Sequence, residues 1–153
     1  MTSTTLNGRR RARELVLQGL YQRQLSGNAD DAIRLQLLDH EDVGDADRAY
    51  LADLWRGVTV EYDSLEASIA PYSARAVAGL SPIERSILVI GAWELAFRFD
   101  VPYKVVINEA VDLAKDYGGT DGHRYVNGVL DKLAARVREA EIAAAAREVR
   151  ADR

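Results

Sequence analysis

Between Asp100 and Lys132 the run DVPYKVVINEAVDLAKDYGGTDGHRYVNGVLDK sets the strongest constraint on the fold, because its periodicity fits two amphipathic helices and nothing extended. Val106, Ala110, Leu113 and Tyr117 recur at three- and four-residue steps, and Ile107, Val111 and Ala114 widen the stripe into a buried face. Pro102 suits the first turn, where a missing N–H is no loss, and Gly118-Gly119 provide a stop. Val126, Val129, Leu130, Leu133 and Val137 form the second stripe, with Thr120 or Asp121 placed to cap it. The connection Gly118-Gly119-Thr120-Asp121-Gly122 is so short that the two helices must pack as a hairpin.

The other segments follow the same period. Ala12, Leu15, Val16, Gly19 and Leu20 share one face of a helix from Arg9 to about Leu25, with the arginines mostly off that face. Tyr21 can finish the core or face outward, and spacing favours the core. Asn28 opens a second helix with Ile33, Leu37 and Leu38 on its apolar edge. An acidic loop follows from His40 to Asp45, and His40 has no partner histidine or cysteine nearby, so it is expected on the surface.

Asp45 is then expected to cap one long helix running to Ile69, with Leu51, Leu54, Val58, Tyr62, Leu65 and Ile69 along its seam and Pro71 as its stop. Ser81-Pro82-Ile83-Glu84 carries a full start signal, with serine at the cap, proline at the first position and glutamate set to close a capping box. The helix it opens, to about Arg98, is apolar around most of its girth and is expected at the centre of the bundle. Glu94 on that helix reads as an edge residue paired with an arginine or a cap, since an unpaired buried carboxylate is expensive. No segment alternates with period two, so the chain is read as all-α.

At 153 residues the chain has the length of one domain. The absence of cysteine excludes disulfides and thiolate metal sites. The start lacks the apolar core of a signal peptide, and no apolar run approaches the roughly 18 residues that cross a bilayer. A soluble, cytoplasmic protein is expected.

The formal net charge is −4, unevenly placed. Met1 to Leu25 holds five arginines against Glu14, a net +4, whereas Gly27 to Ala70 has eleven acids against three arginines, a net −8. An acidic body with one basic end is the pattern of a local nucleic-acid footprint. The cluster Arg9, Arg10, Arg11 and Arg13 also sets positive charge at a positive helix end, a local conflict that function tends to explain. His123, Arg124 and Tyr125 in the first turn of the second hairpin helix add cation and ring where free N–H groups already favour an anion.

Two stretches carry a family resemblance: VPYKVVINEAVDLAK with its turn and HRYVNGVLDK, and RRRARELVLQGLYQ near the start. Together they resemble the NusB family of bacterial transcription antitermination factors, over about Arg9 to Lys132. The resemblance implies an all-α domain of about seven helices in two packed bundles. It implies binding of a short single-stranded boxA-type RNA together with the small-subunit ribosomal protein NusE, in an RNA polymerase antitermination complex acting on ribosomal RNA operons.

Carried over by position, the RNA face is Arg9, Arg10, Arg11, Arg13, Tyr21, Lys104, Asp121, His123, Arg124 and Tyr125, and Glu84 is the candidate for the protein partner. Asp121 is both a cap and a negative charge beside the proposed phosphate path. Residues 1–8 are expected to be a flexible extension, 9–138 the RNA-binding domain, and 139–153 a helical or frayed tail extending the last helix.

Catalysis has little support. The two histidines are far apart, no phosphate-binding glycine loop occurs, and Asn108 and Glu109 read as a hydrogen-bonding helix edge. No cofactor or metal is expected. The same fold occurs as a domain of RNA cytosine methyltransferases, but this chain leaves no room for a catalytic domain. The competing reading is a helical interaction module, or a homodimer, in which the arginines bind no RNA.

Overall fold

A computed structural model describes residues 3–27, 29–39, 46–76, 79–119 and 121–151. Among them are eight helices: α1 (Ser3–Ser26), α2 (Asp30–Asp39), α3 (Arg48–Val60), α4 (Tyr62–Ile69), α5 (Pro82–Phe97), α6 (Tyr103–Tyr117), α7 (Gly122–Val137) and α8 (Glu139–Ala151), with a 3-10 turn over Ala70–Tyr72. The described residues contain no strand.

Helix α5 is the shared axis. Its start is set by Ser81, whose hydroxyl accepts the Glu84 N–H at 3.2 Å, and from Ser86 to Leu95 every residue is buried. Helices α1, α2 and α3 form one bundle against it, and α4, α6 and α7 the other. Two glycines allow the close approach: a Cβ on Gly57 would fall 2.1 Å from the Trp93 indole of α5, and one on Gly91 would fall 2.8 Å from Leu130 of α7. Interiors packed to crystal density have no slack for such atoms. The hairpin α6–α7 completes the second bundle, with Val106, Ala110, Leu113, Val126, Val129 and Leu133 all buried.

Several expectations are corrected. α1 begins at Ser3, six residues before the start expected at Arg9. The Gly8 carbonyl accepts the Asp47 N–H at 3.0 Å, which ties this first part of α1 to the start of α3. The cap of α3 is Asp47, whose carboxylate accepts the Tyr50 N–H at 2.9 Å; Asp45, the acidic loop from His40 and the Asn28 cap lie outside the described residues.

The long helix to Ile69 is broken at Glu61 (φ −96°, ψ 12°). Thr59 bonds back to the carbonyls of Trp55 and Arg56, and Ser64 bonds to that of Glu61. Hydroxyls that compete for carbonyls in this way bend helices. At the hairpin turn Gly118 is extended rather than left-handed, and Asp121 holds the cap position without a side-chain hydrogen bond. Thr120 is outside the described residues.

The tail does not continue α7. The chain turns at Arg138, whose side chain is 0 % exposed. Its guanidinium donates to the carbonyls of Glu94, Leu95, Arg98 and Val101 at 2.7–3.0 Å. These carbonyls lie at and just beyond the end of α5; those of Glu94 and Arg98 also accept the Arg98 and Val101 N–H groups, and a buried cation at a helix C-terminus is favoured by the dipole. Glu141 on α8 in turn accepts the Tyr103 N–H at 3.0 Å, capping α6 from outside.

Candidate nucleic-acid interface

The four arginines near the start of α1 have different surroundings. Arg13 belongs to the core: its side chain is 3 % exposed and bonds both oxygens of Glu94 at 2.8–3.1 Å. Burial opposes its charge, but the Glu94 carboxylate outweighs that and raises its pKa. Tyr50 donates its hydroxyl to the same carboxylate, and burial, followed by the charge of Glu94, pushes that hydroxyl's pKa up. Glu94 is therefore paired with an arginine, as the sequence suggests, but in the core and not at the bundle edge.

Arg9 and Arg98 complete the cluster, their guanidinium carbons 4.6 and 4.7 Å from the Tyr50 ring centroid. Arg9 also lies 3.7 Å from Asp100, and its Nε is buried without a hydrogen-bond partner. Arg98 bonds Asp100 and Asp53 at 2.8–3.0 Å. This hydrogen bonding from Arg98 holds the Asp100 carboxyl below its usual range.

Arg10 and Arg11 are more open. Arg10, about half exposed, bonds Glu109 at 2.9 Å and Asp112 at 3.2 Å on α6. Arg11 lies 3.7 Å from Glu14. Glu14 accepts the Tyr117 hydroxyl at 2.7 Å. Residues 10 and 14 of α1 thus meet residues 109 and 117 of α6 in the same order, so the two helices run parallel. The outer stripe of α1 leads along α6 to the hairpin turn. Tyr117, read from its spacing as core, is 41 % exposed on this path, and Tyr21 is exposed as well.

At the turn itself Asp121 and Arg124 are exposed and His123 is half-buried. No described residue forms an ion pair with Arg124 or His123. Lys104, at the far end of α6, is also exposed and unpaired among the described residues.

Tyr125 points toward the connection before α5. Its ring packs against the core, its hydroxyl meets that of Ser73, and the Arg75 guanidinium carbon lies 4.3 Å from the ring centroid. Glu84 is buried beside them, 3.4 Å from Arg75. It faces Arg75 and the first residue of α7 instead of closing a capping box. Arg75 was not legible as a site residue. A lone arginine in a small-residue stretch carries no periodic signal.

Among the described residues no group of histidine, aspartate and glutamate is placed to hold a metal, and none of the helices is long and apolar enough to cross a membrane. The molecule is a two-bundle helical domain whose exposed cations and rings follow α1 to a hairpin tip.

Comparison with known proteins names the class more closely. The profile of the NusB family matches residues 10–135, and the chain belongs to that family. It is 53% identical over 138 residues to the transcription antitermination protein NusB of Ralstonia nicotianae, covering 90% of this chain and 89% of that one. It is 49% identical over 136 residues to the Nitrosomonas europaea protein of the same name, covering 89% and 81%. Among solved structures, T. maritima NusB superposes with a TM-score of 0.72 at 29% identity, covering 84% of this chain and 91% of that one. A chain from a crystal structure of the antitermination factors NusB and NusE in complex with dsRNA gives 0.76 at 23% identity over 84% and 97%, a likeness of fold.

Proposed function

We propose that this protein is a cytoplasmic transcription antitermination factor that binds single-stranded RNA of the boxA type jointly with the ribosomal protein NusE. In this role it helps RNA polymerase pass terminators in ribosomal RNA operons. Its curated relatives at about half identity carry the antitermination name. The observation that supports RNA binding most directly is the tip of α7, where His123 and Arg124 have no acidic partner among the described residues and stand at a helix N-terminus.

The RNA surface in this reading is the outer stripe of α1, with Arg10, Arg11 and Tyr21, then Tyr117, then the tip, with Lys104 at the other end of α6. Arg13 contributes from inside by fixing α1 against α5, and Arg9 by stacking on Tyr50.

Fluorescence anisotropy with a short labelled boxA-type RNA and a scrambled control, at two salt concentrations and with or without NusE, tests this. Affinity should fall steeply with salt, each phosphate contact adding about 0.7 to the log–log slope. NusE should tighten binding to the boxA-type RNA alone. Absent or salt-independent binding would leave the protein as an interaction module.

A further inference from the structure

The ring that the sequence offers for base stacking, Tyr125, is not available for it. It packs against the core, and the Arg75 guanidinium carbon lies over it, 4.3 Å from the ring centroid. The loop is closed around it, Ser73 meeting the Tyr125 hydroxyl and also donating to the Arg75 carbonyl. What this stack presents to solvent is the guanidinium, since the Arg75 side chain is 55 % exposed.

Glu84 fixes its orientation. The carboxylate is wedged between Arg75, at 3.4 Å, and Gly122, where a Cβ would fall 3.2 Å from it. It is thereby held at the electropositive start of α7, which favours it. A guanidinium held over a ring and bonded at one edge keeps N–H groups free for a ligand. His123 and Arg124 follow Gly122 within the same helical turn.

We infer that Arg75 is the stacking residue of the tip: an unpaired RNA base lies on its outer guanidinium plane while Arg124 takes the adjoining phosphate, and Tyr125 and Glu84 are positioning residues beneath it. This rests on the RNA-binding reading above. Stacking on arginine planes is an established way to hold splayed bases.

The test is Arg75→Lys, which keeps the charge and removes the plane, measured against the wild-type chain with the same RNA over a salt series and paired with a thermal melt. Arg75→Lys should bind about tenfold more weakly with an unchanged salt slope and an unchanged melting temperature. Binding equal to wild type would overturn the inference, because Arg75 would then be only a charge. So would a lowered melting temperature with a normal Kd for the folded fraction. If wild type itself shows no salt-dependent RNA binding, the functional reading fails and this inference with it. Wild-type binding with an indifferent Arg75→Lys sinks the inference alone.

Discussion

The two cationic regions of this protein differ in where their counter-charges lie. In the first half of α1 nearly every arginine is matched: Arg13 by Glu94, Arg10 by Glu109 and Asp112, Arg9 by Asp100 and the Tyr50 ring. At the hairpin tip His123 and Arg124 have no such partner among the described residues, and Arg75 has only a long contact to Glu84. Cationic residues in a sequence are therefore not the same as charge on offer to a ligand. The richer cluster mainly holds helices together, and the poorer one is exposed.

The largest effect should come from separating these roles at Arg13. Arg13→Met leaves Glu94 buried and unpaired, and the expected loss of unfolding free energy in a urea titration is about 3–5 kcal/mol. Adding Glu94→Leu should restore much of it, because a buried pair replaced by apolar groups is often neutral. The RNA affinity of the folded fraction should barely change. If it falls more than it does for a tip variant, the division between the two regions is wrong.

At the tip, Arg124→Ala should reduce the salt slope of RNA binding by about 0.7 while stability stays within about 0.5 kcal/mol of wild type. Asp121→Asn should sharpen the contrast in the other direction. Asp121 makes no side-chain cap bond, so the substitution removes one repulsion without harming the helix. Binding should tighten about twofold, the size expected of one screened surface charge, with the melting temperature unmoved.

The smallest effect is confined to alkaline pH. Burial and Glu94 raise the Tyr50 hydroxyl above its ordinary value of 10.0, and burial with Glu66 pushes Tyr62 up to about 12. A raised folded pKa means that the native state holds its proton more tightly than the unfolded chain. The stability is fully present below about pH 10 and is lost as pH rises through the folded values. Tyr50→Phe should make the decline in melting temperature above about pH 10 shallower than in the wild-type chain.

Much of the fold was legible because its causes are local. The Ser81-Pro82-Ile83-Glu84 start, the stripes of α6 and α7 and the enclosed character of α5 follow from spacing within one or two turns. The ion pairs were not legible, since Arg10 finds Glu109 across 99 residues and Arg13 finds Glu94 across 81. Without those partners the arginine run reads as one surface, and Arg13 is misplaced on it.

Arg138 was missed for the same reason, because its four carbonyl acceptors lie about 40 residues away at the end of α5. The tail therefore looked like a continuation of α7. Tyr125 read as an open ring at the tip, whereas it packs on the core beneath Arg75. Its cover, Arg75, comes from a segment whose composition gives no hint of it.

The most direct test of the central contrast is an NMR titration of the full chain with a short boxA-type single-stranded RNA, following arginine Nε–Hε and backbone amide signals together. Arg75, His123 and Arg124 should shift progressively with RNA while the Arg13 Nε–Hε signal and the Glu94 amide stay in place. Large shifts at Arg13 and Glu94 with none at residues 123–125 would contradict the account.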